Sequence, residues 1–319
     1  MRFFCIVLLG LICFTTKGQM VIDGVTLYGN EWIDYDKTYV KITVDRDGIY
    51  TVTKEDLVDN GLETSTSLDD LEITSYGQRV PYYVSNDGGS IEFYGQKNRG
   101  YLDQFLYNDQ DDRLNREVSL ITDQTAYFIS QSSTPSNTVT LQNTDLSSNS
   151  LNPEAFYMHK EVTGLRSSHL KPKRNRDNVF YSNITPSQGY GTRQNIVNTF
   201  EANMPYIVDN NIETVVGIRY GGNAFIHNTE VVVNNQVVDN IASGKLEVVD
   251  REYTVTNSDV VGESIEVSIK GTDSNNDKNF LAEVRVEYPR AFHADDLDVY
   301  YIYLDASSET RYIEVDGYT

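Results

Sequence analysis

Three groups of residues in this 319-residue chain carry chemistry by type and spacing. The first is acidic. Asp109, Asp111 and Asp112, with Asn108 and Asn115 beside them, offer oxygen ligands of the kind Ca2+ takes. Their spacing is not that of a helix–loop–helix calcium site, and no glycine stands at the sharp turn such a site needs. A solvated acidic loop explains the run as well. Asp273 to Asp277 is a sparser version of the same pattern.

The second group is basic. Arg166, Lys171, Lys173, Arg174 and Arg176, with His169 among them, form an island in an acidic protein. A local basic loop can hold a phosphate, a glycan or the acidic face of a partner domain. Pro172 and the lack of periodicity fit an exposed, solvated loop equally. The third group is the histidines, His159, His169, His227 and His293, whose separations match no compact metal motif. His227 follows Phe225 and Ile226 and reads as a hydrogen-bonded structural histidine in a strand. No catalytic residue emerges: no nucleophile-elbow sequence supports a serine triad. No cofactor is expected beyond the weak Ca2+ candidates.

Thiol chemistry is excluded by position. Arg2 gives a positive start, Phe3 to Phe14 is apolar, and Thr16-Lys17-Gly18 precedes Gln19. Residues 1–18 read as a secretory signal peptide, too short to span a membrane. Both cysteines, Cys5 and Cys13, lie inside it, so the mature chain is expected to hold no disulfide and no thiolate nucleophile. Loss of Arg2 and Lys17 lowers the basic count from 26 to 24 against 47 acidic residues, and net charge moves from −21 to −23. Such a surface repels nucleic acid and anionic membrane. The expected location is outside the inner membrane: the outer membrane and cell surface, or the medium.

The elements that would position these groups are mostly strands. Val40, Ile42 and Val44 share a face, Asp45 to Gly48 is a turn, and Ile49 to Val52 returns, which predicts a hairpin. Thr53 and Asp56 predict a capped short helix ending at Asn60-Gly61. Leu71 and Ile73 begin a strand that Gly77-Gln78 turns toward Val80. Ile91 to Gly95 and Thr125 to Ser130 predict a hairpin-like pair joined by a long, ordered excursion. Within it, Leu102, Phe105 and Leu106 sit at one-turn spacing and predict a short helix packed on the sheet. Farther on, Ile212 to Tyr220, the two runs flanking Asn234-Asn235, Ile265 to Ile269 and Ala282 to Tyr288 all alternate as strands. The expected fold is mainly β: two antiparallel β-sandwich or jelly-roll-like domains, the first with one or two short helices. The expected domains are 28–135 and 153–290, joined by a Ser/Thr/Asn-rich linker at 136–152. Leu297 to Leu304 and Arg311 to Val315 predict two further strands in 291–319. Two strands cannot close a domain, so this is expected to be the start of a truncated further segment.

One ordered series goes further. Asp47-Gly48-Ile49-Tyr50, Glu92-Phe93-Tyr94-Gly95, Lys97-Asn98, Gly100, Leu102-Asp103, Leu106-Tyr107, Ser119-Leu120, Asp123, Tyr127-Phe128 and Tyr288-Pro289-Arg290 follow one another along the chain. This series resembles the N-terminal region of gingipain-type cysteine peptidases, nearest to the PorU-like surface sortases of the type IX secretion system. The resemblance runs from about Glu31 onward. It implies a non-catalytic N-terminal region that positions or shields a cysteine peptidase domain lying beyond this chain. It also implies outer-membrane secretion components as partners. The family's Cys and His have no counterpart here, so the chain itself is expected not to be an enzyme. The alternative is a freestanding surface glycan-binding or adhesive β-sandwich module, because 23 tyrosines offer rings for stacking on sugars.

Overall fold

A computed structural model describes residues 20–22, 25–63, 65–132, 137–140, 150–170, 184, 186–222, 225–256, 260, 262–273, 277–295 and 300–317. The signal peptide, Lys171, Lys173, Arg174 and Arg176, and most of the expected linker lie outside the described residues. The chain divides into two compact units. One comprises residues 1–96 and 124–141, the other 97–123 and 142–319. The long excursion, expected inside a first domain of 28–135, therefore belongs to the second unit.

In the first unit the strands are β1 (Met20–Ile22), β2 (Val25–Leu27), β3 (Val40–Val44), β4 (Gly48–Thr53), β5 (Leu71–Ser75), β6 (Gln78–Val80), β7 (Tyr82–Val84), β8 (Ser90–Gly95) and β9 (Thr125–Gln131). One sheet has the order β3-β9-β5-β6 and another β4-β8-β7, all antiparallel, with β1 and β2 as a separate hairpin. Two predicted pairings are corrected. β3 pairs with β9 and β4 with β8, so the turn at Asp45 to Gly48 carries the chain between sheets instead of closing a hairpin. β8 and β9 likewise lie in different sheets. The alternating residues do share an inward face, because Val40, Val44, Val52, Leu71, Ile73, Ile91, Phe93, Tyr127 and Ile129 fill one core. Strand alternation fixes which face is apolar and leaves the partner strand open.

The helix α1 (Lys54–Asp59) starts as predicted. The Thr53 hydroxyl accepts from Asp56 N at 3.0 Å and the Asp56 carboxylate accepts from Thr53 N at 3.1 Å, a reciprocal cap. Leu57 is the side chain it buries, and Gly61 follows at φ +102°. Tyr82 is 1 % exposed, and its hydroxyl donates toward Leu68 O at 2.9 Å and Leu71 O at 3.0 Å. Trp32, the chain's one tryptophan, packs against Tyr39 and Phe128.

The second unit is a sandwich. Its strands are β10 (Tyr157–Gly164), β11 (Ser168–Leu170), β12 (Gly189–Gly191), β13 (Val197–Asn203), β14 (Thr214–Gly222), β15 (Ile226–Val233), β16 (Gln236–Gly244), β17 (Val248–Val255), β18 (Ser264–Gly271) and β19 (Asn279–Arg290). The sheets β10-β19-β14-β17 and β13-β18-β15-β16 face each other across Val216, Ile218, Tyr220, Val231, Val233, Ile265, Val267, Ile269, Leu281, Val284, Val286 and Tyr288. Asn234 and Asn235, at φ +45° and +66°, make the tight β15–β16 turn as predicted. A register shift between β14 and β19 falls at Arg219/Tyr220, opposite Ala282. That bulge changes which face β19 presents. Leu281 and Val284, three residues apart, both point into the sandwich core, while Ala282 packs instead with Leu114, Leu170 and Phe280.

The two strands expected near the end are not formed among the described residues of 300–317, where only isolated bridges occur at Tyr312 and Asp316. The segment is anchored by Arg290 instead. Its guanidinium donates to Tyr157 Oη at 2.9 Å and His293 O at 3.1 Å, and lies over the Tyr300 ring. Among the described residues no helix is long and apolar enough to cross a membrane.

Candidate functional site

The site is built by the excursion, residues 97–123, on the outward face of the β10-β19-β14-β17 sheet. Its neck closes through Asn98, whose N–H donates to Asp123 O at 2.7 Å and whose Nδ2 donates to Thr122 O at 2.8 Å. Gly100 follows at φ +78°, where a Cβ would meet the Arg113 guanidinium at 2.5 Å, so glycine is required. Asp103 is buried, and its carboxylate accepts from Ser119 Oγ at 2.9 Å and Leu120 N at 2.6 Å. Tyr107 Oη donates to Gln188 O at 2.5 Å.

Asn115 is the anchor. It is 2 % exposed, and its amide nitrogen lies 3.0–3.1 Å from three carbonyl oxygens, those of Leu165, Tyr190 and Ala282. The last is the carbonyl of the bulge. One side chain thus serves β10's exit, β12 and β19 together.

Beside this anchor, Asp111, Arg116, Glu117, Val162, Arg219, Val248, Asp250, Arg251, Glu252, Glu283 and Arg285 line a groove of about 790 Å3. Strand alternation aims these charges outward, since Val216, Ile218 and Tyr220 of β14 and Val284 and Val286 of β19 point inward. Arg219, 1 % exposed, is fully engaged: Nε donates to Arg113 O at 2.9 Å, Nη2 to Asp111 O and Nη1 to Asp250 Oδ2, both at 2.6 Å. Asp250 also takes Arg285 at 2.5 Å and Arg116 at 3.4 Å. Arg285 reaches Glu252 at 3.5 Å and Glu283 at 3.6 Å, and Glu283 accepts from Arg116 N. Gly217 lets this happen: a Cβ there would lie 2.6 Å from Arg285 Nε.

Burial and charge oppose each other here. Burial would raise the Asp250 pKa, but hydrogen bonds and charges from Arg285 and Arg219 hold it below the ordinary value of 3.8. At Glu283 burial wins over Arg116, Arg219 and Arg285, and the pKa is raised. Burial, with help from Arg116, lowers that of Arg219. The groove offers fixed guanidinium donors and carboxylate acceptors in alternation. Among the described residues that line it there is no hydroxyl, thiol, imidazole or aromatic ring, and its acid–base groups are carboxylates.

The residues singled out by sequence have specific places. Asp109 caps a 3-10 turn by accepting from Asp111 N at 2.9 Å, and Asp111 pairs with Arg116 at 2.9 Å. Asp112 follows, its pKa raised by burial and then by Asp109 and Asp111, against Arg219. Among the described residues no three acidic, histidine or cysteine side chains gather as a metal site. Arg166 is ion-paired with Asp123 and lies 5.1 Å from the Tyr190 ring centroid. His169 packs edge-on to the same ring, and burial lowers its pKa. His227, 1 % exposed, contacts Asp277 at 2.7 Å, and the Asp277 carboxylate also accepts from the backbone N–H groups of Asn228, Thr272 and Asp273. That is the structural histidine expected.

Arg219, Asp250, Glu283 and Arg285 were not singled out by sequence. On alternating strands they look like ordinary solvent-facing charges. The one local signal is Arg219 itself, an arginine set among Val216, Gly217, Ile218, Tyr220 and Gly221 in a strand otherwise without charge.

No protein-family model matches the sequence, and no curated protein does. Among solved structures, the chain is similar to dimeric latent PorU from Porphyromonas gingivalis, at 12% identity and TM-score 0.48, over 80% of this chain and 24% of that one. It is similar to a family 35 carbohydrate binding module from Clostridium thermocellum, at 10% identity and TM-score 0.23, over 41% of this chain and 95% of that one. A third likeness is to a β-porphyranase of glycoside hydrolase family 86 from Bacteroides plebeius, at 12% identity and TM-score 0.23, over 86% and 37%. The chain thus spans about a quarter of the length of the PorU chain.

Proposed function

We propose that this chain is the non-catalytic N-terminal region of an exported, PorU-like member of the gingipain-type peptidases, acting at the outer membrane or cell surface. Its two β units position or shield a cysteine peptidase domain and dock secretion components. One observation carries the reading: several residues of the ordered series are architectural. Asn98 and Asp123 close the neck of the excursion, Gly100 makes its turn, Asp103 and Ser119 clasp its two limbs, and Tyr107 ties it to Gln188. A signature made of such residues preserves a particular chain crossing, which is what a presenting scaffold requires. The groove's chemistry supports the docking part of this reading, because its guanidinium and carboxylate groups suit charge-paired contact.

The purified chain should show no thiol-sensitive turnover of peptides or secretion-signal substrates. Turnover abolished by a thiol reagent would overturn the reading. Saturable sugar binding on a glycan array, weakened by Tyr→Ala changes, would favour the freestanding glycan module instead.

A further inference from the structure

The first turn of the excursion inverts the usual order of burial. The sequence predicts that Leu102, Phe105 and Leu106 pack inward. In the structure the 3-10 turn Asp103–Leu106 buries Asp103 instead, and leaves Leu102 49% and Leu106 46% exposed. Tyr101, 37% exposed, stands edge-on to Phe105 at 6.4 Å. Ile121 is 77% exposed, and its backbone is held near the turn, because Ser119 Oγ both donates to the Asp103 carboxylate and accepts from Ile121 N at 3.2 Å. The inversion is held in place. The Asp103 carboxylate is fixed from below by Ser119 Oγ and Leu120 N, so the turn cannot roll to bury its leucines without stranding a charge. Apolar side chains held outward on one turn in this way suit an interaction site.

The rim says what kind. Asp109 and Asp112 follow within six residues of Leu106, and neither is ion-paired among the described residues. Burial, then the charges of Asp109 and Asp111, push the Asp112 carboxyl up against the opposing charge of Arg219. A second copy of the chain would bring the same acids against themselves, and the chain's net charge of −21 adds to that repulsion. An anionic lipid surface is repelled for the same reason.

We propose that Tyr101, Leu102, Phe105, Leu106 and Ile121 form a docking surface for a protein that presents an apolar centre rimmed by lysine or arginine. This deepens the docking part of the function proposed above and rests on that reading only in expecting a protein partner. The probe is a fluorescein-labelled amphipathic peptide of leucine and lysine, with its leucine–glutamate counterpart as control, followed by anisotropy on the purified chain at about 0.15 M salt. The lysine peptide should bind at least about ten-fold tighter than the glutamate one. Leu102→Ser/Leu106→Ser should lose about ten-fold with an unchanged melting temperature, since both side chains are exposed. Asp109→Asn/Asp112→Asn should lose less and flatten the salt dependence, asparagine keeping the cap at 109. Hydrogen exchange on the unaltered chain gives a second readout, with protection expected at 101–106 and 119–122. Undiminished binding by the serine pair, or protection elsewhere only, would overturn the proposal. So would preference for phosphatidylcholine vesicles over the peptide, which would assign the patch to lipid. Thiol-sensitive turnover would overturn the non-catalytic reading and leave this result standing.

Discussion

Asp250 holds three arginines, and Arg219 is the one that can least do without it. A buried guanidinium left unpaired is strongly destabilising, by about 3–5 kcal/mol, whereas an apolar replacement of both partners is often near neutral. Asp250→Ala should therefore cost roughly 3 kcal/mol, and Arg219→Met/Asp250→Ala clearly less than the two single changes added. Denaturant unfolding of the four proteins measures the coupling; strict additivity would mean the pair is not an energetic unit. Acid should unfold the second unit in two windows. Burial, and then Arg290, lowers the His159 pKa from 6.5 to about 4, so the unfolded chain binds the extra proton between those values. Stability tied to His159 is present above 6.5 and is lost as pH falls toward 4. The contribution of Asp250, whose pKa is depressed, is present above its ordinary 3.8 and disappears at lower pH. Melting temperatures measured from pH 7 to pH 3 should fall in both windows, and His159→Gln should shrink the upper one, His169 supplying the remainder.

The excursion is the element on which the second unit depends, and Asn115 is its keystone. Asn115→Ala would remove a donor from the carbonyls of Leu165, Tyr190 and Ala282, the last keeping the Leu165 N–H, and should cost about 2 kcal/mol. Trp32 lies in the first unit and is the chain's single tryptophan, so its fluorescence reports that unit alone. Asn115→Ala should lower the far-ultraviolet melting transition of the second unit and leave the Trp32 transition in place. A shift of the Trp32 transition alone would place the excursion with the wrong unit. Much of this element level was legible in the sequence. The Thr53–Asp56 cap, the Asn234-Asn235 turn and the inward faces of Ile265 to Ile269 follow from local rules about dihedrals and alternation. The ownership of residues 97–123 did not, because it rests on Asn115 meeting carbonyls 50, 75 and 167 residues away. Pairing of β3 with β9 is long-range in the same sense. Leu102 and Leu106 misled because one-turn spacing shows that a turn has an apolar face and not which way that face points. The Arg219 network was missed because an outward charge on a strand looks the same whether it meets water or an arginine.

At the scale of the whole molecule, two β units are joined by a chain that leaves the first at 96–97, returns at 123–124, and leaves again at 141–142. Such a crossing makes the recognisable series of residues a record of architecture. It also separates two surfaces on the second unit: a groove of paired charges whose groups are largely committed to one another, and an apolar turn with acids at its rim. The high net negative charge supports the same picture, since it favours basic partners and slows self-association. The role proposed for this chain is to present or shield a catalytic domain without catalysis of its own. The most direct measurement is sedimentation of the purified chain with a separately expressed gingipain-type peptidase domain, at high concentration and low salt. Interfaces between domains of one chain bury about 600–1,500 Å2, so the complex should be weak but saturable and of one-to-one stoichiometry. Independent sedimentation of the two proteins at every concentration, with both folded, would contradict the proposed role.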